Sequence, residues 1–386
     1  MRNRRIYWKR ENNALKQSAY IMPQVQSIRE AFAEASSFLS GLGVSEPQRS
    51  SQLLLEHLLG LSGAAYYMAL AEPFPADKRE QWEIAVTRRA SGEPVQYITG
   101  EQEFYGRPFE VTPDVLIPRP ETELLVEAVL GYAAELWPEG EVKLAGEPST
   151  EANNGNGLAG PASRLGGAPS YEGKLSAGVR GEAGPSVASS DAVKLSAGMS
   201  DESGPGDAGK PVTCGGFRRL TAIDIGAGSG AISVTLAAEA PAWRVLAGDI
   251  SPAALAVAGR NAERLGAAVE LRLGDLLEPF KGLETDILVS NPPYIPGADI
   301  AGLQREVRDH EPRTALDGGE DGLDPYRRMM EQLRLLPAPP RLVGFELGLG
   351  QAEQVAALLT AAGHWSEIVT VPDLAGIPRH VLGIAR

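Results

Sequence analysis

Four residues, Asn291-Pro292-Pro293-Tyr294, follow directly on the apolar run Asp286-Ile287-Leu288-Val289-Ser290. A glycine-rich segment, Asp224-Ile225-Gly226-Ala227-Gly228-Ser229-Gly230, stands between another apolar run and a helical pattern. Both lie where a buried strand ends, the edge at which open α/β sheets bind ligands. Glycines at such a bend let a ligand approach the backbone closely, and Ala227 and Ser229 belong to the same cradle. Taken as Gly226, Gly228 and Ala231, the segment also fits the relaxed dinucleotide fingerprint, so by itself it leaves a nicotinamide cofactor and S-adenosylmethionine level. Asp249 ends the next strand candidate, 23 residues after Gly226, and suits the two hydroxyls of a ribose in either case. Asp275, with Leu276 beside it, ends the third and could accept the exocyclic amine of adenine. Their shared position on one rim favours ligand contact over ordinary loop acids.

An Asn-Pro-Pro-Tyr loop after the fourth strand, together with Gly226 to Gly230 after the first, resembles the class I S-adenosylmethionine-dependent methyltransferases that modify amide or exocyclic amine nitrogens. Such a nitrogen is a poor nucleophile because its lone pair is delocalised. The resemblance implies that the Asn291 side-chain oxygen and the Pro292 carbonyl bind its two hydrogens and aim the lone pair along the sulfonium methyl axis. Pro293 completes that substrate loop, Tyr294 would pack over the planar amide, and Asn291 also borders the cofactor. No general base is needed, since the proton can leave after charge has developed. A dehydrogenase would need an acid or base in a hydride-transfer pocket, and no residue here is placed for one.

The likeness extends further. Gly92-Glu93-Pro94-Val95-Gln96-Tyr97-Ile98-Thr99-Gly100, Glu103-Phe104-Tyr105-Gly106 and Leu116-Ile117-Pro118-Arg119-Pro120-Glu121-Thr122-Glu123 resemble the linker and first catalytic helix of the peptide chain release factor glutamine methyltransferases. Glu311-Pro312, Ala315-Leu316-Asp317-Gly318-Gly319 and Asp321-Gly322-Leu323 are similar to that family's segment after the catalytic loop. This implies methylation of the side-chain amide of the glutamine in a Gly-Gly-Gln motif of class I release factors, with Arg119 in or near the pocket.

The elements that must hold these residues can be read from periodicity. Ile28, Phe32, Ala35 and Leu39 share one helical face, Ser45 and Gln48 form a capping-box signature with Pro47 in the first turn, and Leu53 to Leu61 follows as a second helix. A helix around Trp82, Val86 and Arg89 ends near Ser91-Gly92. Phe104, Tyr105, Phe109 and Val111 about Gly106 suggest a hairpin, and Pro120 starts a helix carrying Leu125, Val129 and Tyr132 on one face. Downstream, strand candidates at Leu220 to Ile225, Val245 to Asp249, Val269 to Leu273, Asp286 to Ser290 and Arg341 to Leu347 alternate with helices. Two further strands lie near Ile368 and Val381. The expected fold class is α/β, a Rossmann-like sheet with helices on both faces, preceded by a small helical bundle and a linking β-hairpin.

The expected domains are a basic, disordered extension at 1–22, a helical substrate-recognition domain at 23–95, a linker with the hairpin at 96–115, and a methyltransferase domain at 116–386 interrupted by a disordered insertion at 145–216. That insertion of 72 residues holds 16 Gly, 11 Ala, 10 Ser and 6 Pro, with Tyr171 its only aromatic, so it cannot bury enough apolar surface to offset its ordering entropy. It repeats Lys-Leu-Ser-Ala-Gly at 174 and 194. The extension carries a net charge near +5, with Met22 as a possible alternative start.

The whole chain of 386 residues has 36 basic and 50 acidic side chains, net −14, which opposes bulk attraction to nucleic acid or an anionic membrane. A nucleic-acid adenine-N6 methyltransferase, which shares a similar loop, would need a basic groove and is disfavoured on that ground. A glutamine methyltransferase of a ribosomal protein is the nearer rival, and a cofactor-binding module without catalysis the remote one. Cys214 is the single cysteine, and His57, His310, His364 and His380 lack ligand spacing, so neither a disulfide nor a structural metal is expected. With no apolar run long enough for a signal peptide or span, the expected location is cytoplasmic.

Overall fold

Proline and glycine mark most element boundaries in the computed structural model, which describes residues 19–24, 27–143 and 217–386. Helix α1 (Ile28–Gly41) opens on a complete capping box, the Ser27 hydroxyl accepting from Glu30 N and the Glu30 carboxylate from Ser27 N. Helix α2 (Pro47–Leu59) starts differently from expectation: Glu46 is its N-cap, in a left-handed conformation (φ 47°), and no side chain caps it. Pro47 occupies the first helical position, which places Ser45 one residue too early for a capping box with Gln48. The Ser45 carbonyl instead accepts from the Arg89 guanidinium.

Helices α3 (Gly63–Ala69), α4 (Arg79–Ala90) and α5 (Val95–Thr99) complete the bundle, α3 having no strong periodicity in the sequence to announce it. Their core joins Leu39, Leu54, Leu55, Trp82 and Val86, all essentially inaccessible to solvent. Tyr20 and Met22 belong to it as well. Their backbone amides donate to Thr87 Oγ1 and Glu83 Oε1, both at 3.0 Å. Tyr20 and Met22, expected within the extension, thus pack with the bundle, because two apolar side chains separated by one residue find a place against α4; residues 1–18 and the insertion at 145–216 lie outside the described residues.

Strands β1 (Glu101–Phe104) and β2 (Arg107–Glu110) form the hairpin, turning through Tyr105 and Gly106, both at positive φ, as a tight two-residue turn requires. Phe104 and Phe109 meet edge to face at 5.8 Å and are fully buried. Helix α6 (Pro120–Leu136) follows, with Leu125, Val126, Val129 and Ala133 on its buried face and Thr122 at the start of that face. Strands β3 (Glu141–Lys143) and β4 (Phe217–Arg219) pair antiparallel, with Lys143 opposite Phe217.

The rest alternates as expected: β5 (Thr221–Ile225), α7 (Ala231–Glu239), β6 (Arg244–Asp249), α8 (Pro252–Arg264), β7 (Val269–Leu273) and β8 (Ile287–Ser290). After two short helices, α9 (Arg305–His310) and α10 (Asp324–Gln332), come β9 (Leu342–Glu346), α11 (Ala352–Ala362), β10 (Glu367–Pro372) and β11 (Pro378–Ile384). The seven strands stand in the order β10-β11-β9-β8-β5-β6-β7. All neighbours are parallel except β11, antiparallel to both β9 and β10. Strand β5 is buried at every residue, as a central parallel strand should be. The chain leaves β5 for β6 on one side and later returns to β8 on the other, so a crevice opens beyond their carboxyl ends.

Candidate active site

Three glycines, Gly226, Gly228 and Gly230, turn the chain from β5 into α7 with φ of 76°, 53° and 81°, conformations that L side chains rarely adopt. A Cβ on Gly230 would lie 3.2 Å from the Ala258 Cβ, so this residue also lets α7 approach α8. The amides of Gly226 and Ala227 both donate to the Gly248 carbonyl at 2.8 and 3.0 Å, clamping the loop to the end of β6. One residue on, Asp249 accepts from Gly228 N at 2.9 Å and Ser251 N at 2.8 Å, one through each oxygen. Asp275 lines the same crevice and is paired with Arg328, and Leu276 beside it holds a positive φ of 51°. At the foot of the loop Asp224 accepts from Ser233 N at 3.0 Å, and burial pushes its carboxyl up to about 7.

The Asn291 loop is held from behind by residues 316–319. Ile295 N donates to Leu316 O at 3.0 Å, Gly318 N to Ile295 O at 2.9 Å and Gly297 N to Gly319 O at 2.8 Å, a miniature strand pairing. Gly318 packs so closely that an added Cβ would come within 2.8 Å of the Pro293 carbonyl oxygen. The Ala-Leu-Asp-Gly-Gly segment is therefore a brace for the loop. From the front, Ser290 Oγ donates to Ile225 O at 2.6 Å and ties the ends of β8 and β5 together.

Asn291 lies between these supports. Its Nδ2 donates to Thr122 Oγ1 at 3.2 Å, and the Thr122 hydroxyl donates to Glu346 Oε2 at 2.6 Å. Asn291 Oδ1 is buried and has no hydrogen-bond partner among the described residues. Burial raises the Glu346 carboxyl to about 7, against the opposing effect of its hydrogen bond from Thr122. His380, fully buried 3.9 Å from that carboxylate, is held down to about 4, again chiefly by burial.

A cavity of ≈ 640 Å³ gathers most of the residues singled out from the sequence: Gly226, Ala227, Gly228, Ser229, Asp249, Asp275, Leu276, Asn291 and Pro293. Gly230 caps α7 just behind it. Pro292 is buried and is not part of the lining of this cavity, while Tyr294 faces a depression of ≈ 350 Å³ with Gln351 and Arg379. Gln351 Nε2 donates to the Tyr294 carbonyl at 2.9 Å, and burial raises the Tyr294 hydroxyl well above its ordinary range. Arg119 lines the main cavity, ion-paired with the buried Glu311, so it is not a free helix-start charge. Burial lifts the Glu311 carboxyl, and Arg119 opposes that lift.

Thr122, Glu346 and Gln351 were not recognised as site residues from sequence. The signals were a hydroxyl on an apolar helical face and an acid closing the buried strand Leu342–Glu346.

The sheet order, the glycine turn at its switch point and the crevice beside it define a class I methyltransferase, and residues 216–308 match the "Methyltransferase small domain" family model. Residues 30–100 match the "PrmC N-terminal domain" model. A release factor glutamine methyltransferase of Moorella thermoacetica is 36% identical over 363 residues, covering 93% of this chain and 99% of that protein. Those of Koribacter versatilis (358 residues; 92% and 98% covered) and Bacillus subtilis (362 residues; 93% and 98% covered) are each 34% identical. The chain belongs to the release factor glutamine methyltransferase family. Among the described residues no helix is long and apolar enough to cross a membrane.

Proposed function

We propose that the protein transfers a methyl group from S-adenosylmethionine to the side-chain amide nitrogen of the glutamine in the Gly-Gly-Gln motif of class I release factors. The single observation that carries this reading is the buried Asn291 Oδ1 at the edge of the crevice, without a hydrogen-bond partner among the described residues. A buried acceptor without a donor costs about 1–3 kcal/mol, and a substrate N–H would remove that cost. The Pro292 carbonyl, on a buried residue next to Asn291 that is not itself part of the crevice lining, would accept the second hydrogen of the same nitrogen. Held in that way, the amide has its lone pair localised and directed at the crevice.

The residues present suit the cofactor. Gly226 to Gly230 would admit its amino-acid portion to the backbone, the Asp249 carboxylate keeps lone pairs for two ribose hydroxyls, and Asp275 and Leu276 would border the adenine. When bound, it supplies an electrophilic methyl on a sulfonium. The chain's own contribution is orientation and exclusion of water, and no side chain has to remove a proton before transfer. Tyr294, facing the second depression, would receive the protein substrate.

Asn291→Ala tests the reading. Cofactor affinity should stay within a few-fold while turnover falls by roughly 10²–10³, the usual loss for one preorganised polar contact at a transition state. Unchanged turnover would remove Asn291 from the mechanism.

A further inference from the structure

A carboxamide can sit in its site in two ways, amide nitrogen or oxygen outward, and only one presents an acceptor to a substrate N–H. What decides between them here comes from two other elements, one of whose residues, Thr122, lines the crevice beside Asn291. Thr122 comes from the first turn of α6 and Glu346 from the last residue of β9. Thr122 has one hydroxyl hydrogen. An ionised Glu346 only accepts, so Thr122 must donate to it, and the lone pairs left on Thr122 Oγ1 then demand a donor from Asn291.

Resting on the function proposed above, we infer that Thr122 and Glu346 are positioning residues that fix the Asn291 carboxamide with its oxygen free for the substrate amide, and that protonation of Glu346 undoes this arrangement. A protonated carboxyl can donate to Thr122, whose hydrogen then turns to the carboxamide oxygen and draws it inward. The chain of hydrogen bonds runs in reverse, and the nitrogen faces the substrate.

The surroundings of Glu346 allow that proton within the neutral range. Burial and the nearby Glu121 favour it; Arg379, Thr122 and Asn291 oppose it; together they leave the group at about 7. His380, at 3.9 Å, brings no charge at neutral pH because burial holds it near 4. Tyr326, from α10, donates to the Glu346 backbone carbonyl at 2.6 Å, and its hydroxyl and that of Tyr294 are both held well above their ordinary range by burial, hence neutral.

Steady-state methyl transfer to a release factor, measured across pH with cofactor affinity determined by calorimetry on the same samples, tests this. In the parent, kcat should rise with pH through a midpoint near 7. Thr122→Val should lower kcat by up to about 10²-fold with KM and cofactor affinity within about two-fold, and Thr122→Ser should restore most of it. Glu346→Gln, which can both donate and accept, should lower kcat and flatten its profile between about pH 6 and pH 8. Unchanged kcat in Thr122→Val, equal loss of cofactor binding in that variant, or a pH profile of Glu346→Gln identical to the parent's would each overturn the inference. A parent enzyme that leaves glutamine unmethylated would instead remove the underlying reading of function.

Discussion

Asp249 and Asp275 share a rim yet differ in their neighbours. Asp249 is fixed by two backbone amides, with no cation among its hydrogen-bond partners in the described residues, whereas Asp275 is paired with Arg328. A carboxylate held by amides keeps outward lone pairs in a set direction, which suits a pair of vicinal hydroxyls. Asp249→Ala should therefore weaken cofactor binding by about 10-fold or more in calorimetry, the loss of a charge-assisted contact, while leaving turnover at saturating cofactor within a few-fold. Equal affinity in both proteins would take Asp249 out of the ribose site. Asn291 and Asp249 were legible in the sequence because alternation alone places strand ends on one rim. Thr122 and Glu346 were not, because their partnership joins residues 224 positions apart and exists only once α6 packs beside β9.

At the scale of elements, periodicity marked the parallel strands well: the Val269–Leu273 strand has the expected ends, and β5, β8 and β9 each begin one residue later than expected. It failed where local chemistry decided. The capping box belongs to Ser27 and Glu30, because Pro47 forces the next helix to start at itself. Short α9 and α10 have too few turns for a periodic signal. The brace behind the catalytic loop was visible as a run of glycines, without the reason for them. That reason is now specific: a Cβ on Gly318 would meet Pro293 O and Gly322, both backbone atoms that cannot swing aside. Gly318→Ala should cost about 1–3 kcal/mol in denaturant unfolding, as overpacking does, and should lower turnover more than cofactor affinity, since the strain falls on the Asn291 loop. A variant as stable and as active as the parent would show that the loop does not depend on this contact.

At the scale of the molecule, β3 and β4 pair with Lys143 opposite Phe217, so the chain leaves and re-enters this hairpin at neighbouring points. Replacing residues 144–216 by a two-residue Asn-Gly turn should keep the register, shift Tm by only a few degrees and hold turnover within about two-fold. Loss of turnover with an intact fold would give the insertion a functional role. One contact of the bundle with the rest of the chain is Arg89, buried and bonded to Ser50 within the bundle and ion-paired at 2.7 Å to Glu306 on α9. That contact links the N-terminal helices to the segment that continues into Glu311 and the brace. The most direct measurement of the whole account is mass spectrometry of a class I release factor after incubation with the protein and S-adenosylmethionine. One added methyl on the side-chain nitrogen of the Gly-Gly-Gln glutamine is the expected result. A methyl on any other residue, or an unmodified release factor in the presence of an enzyme that binds the cofactor, would contradict it.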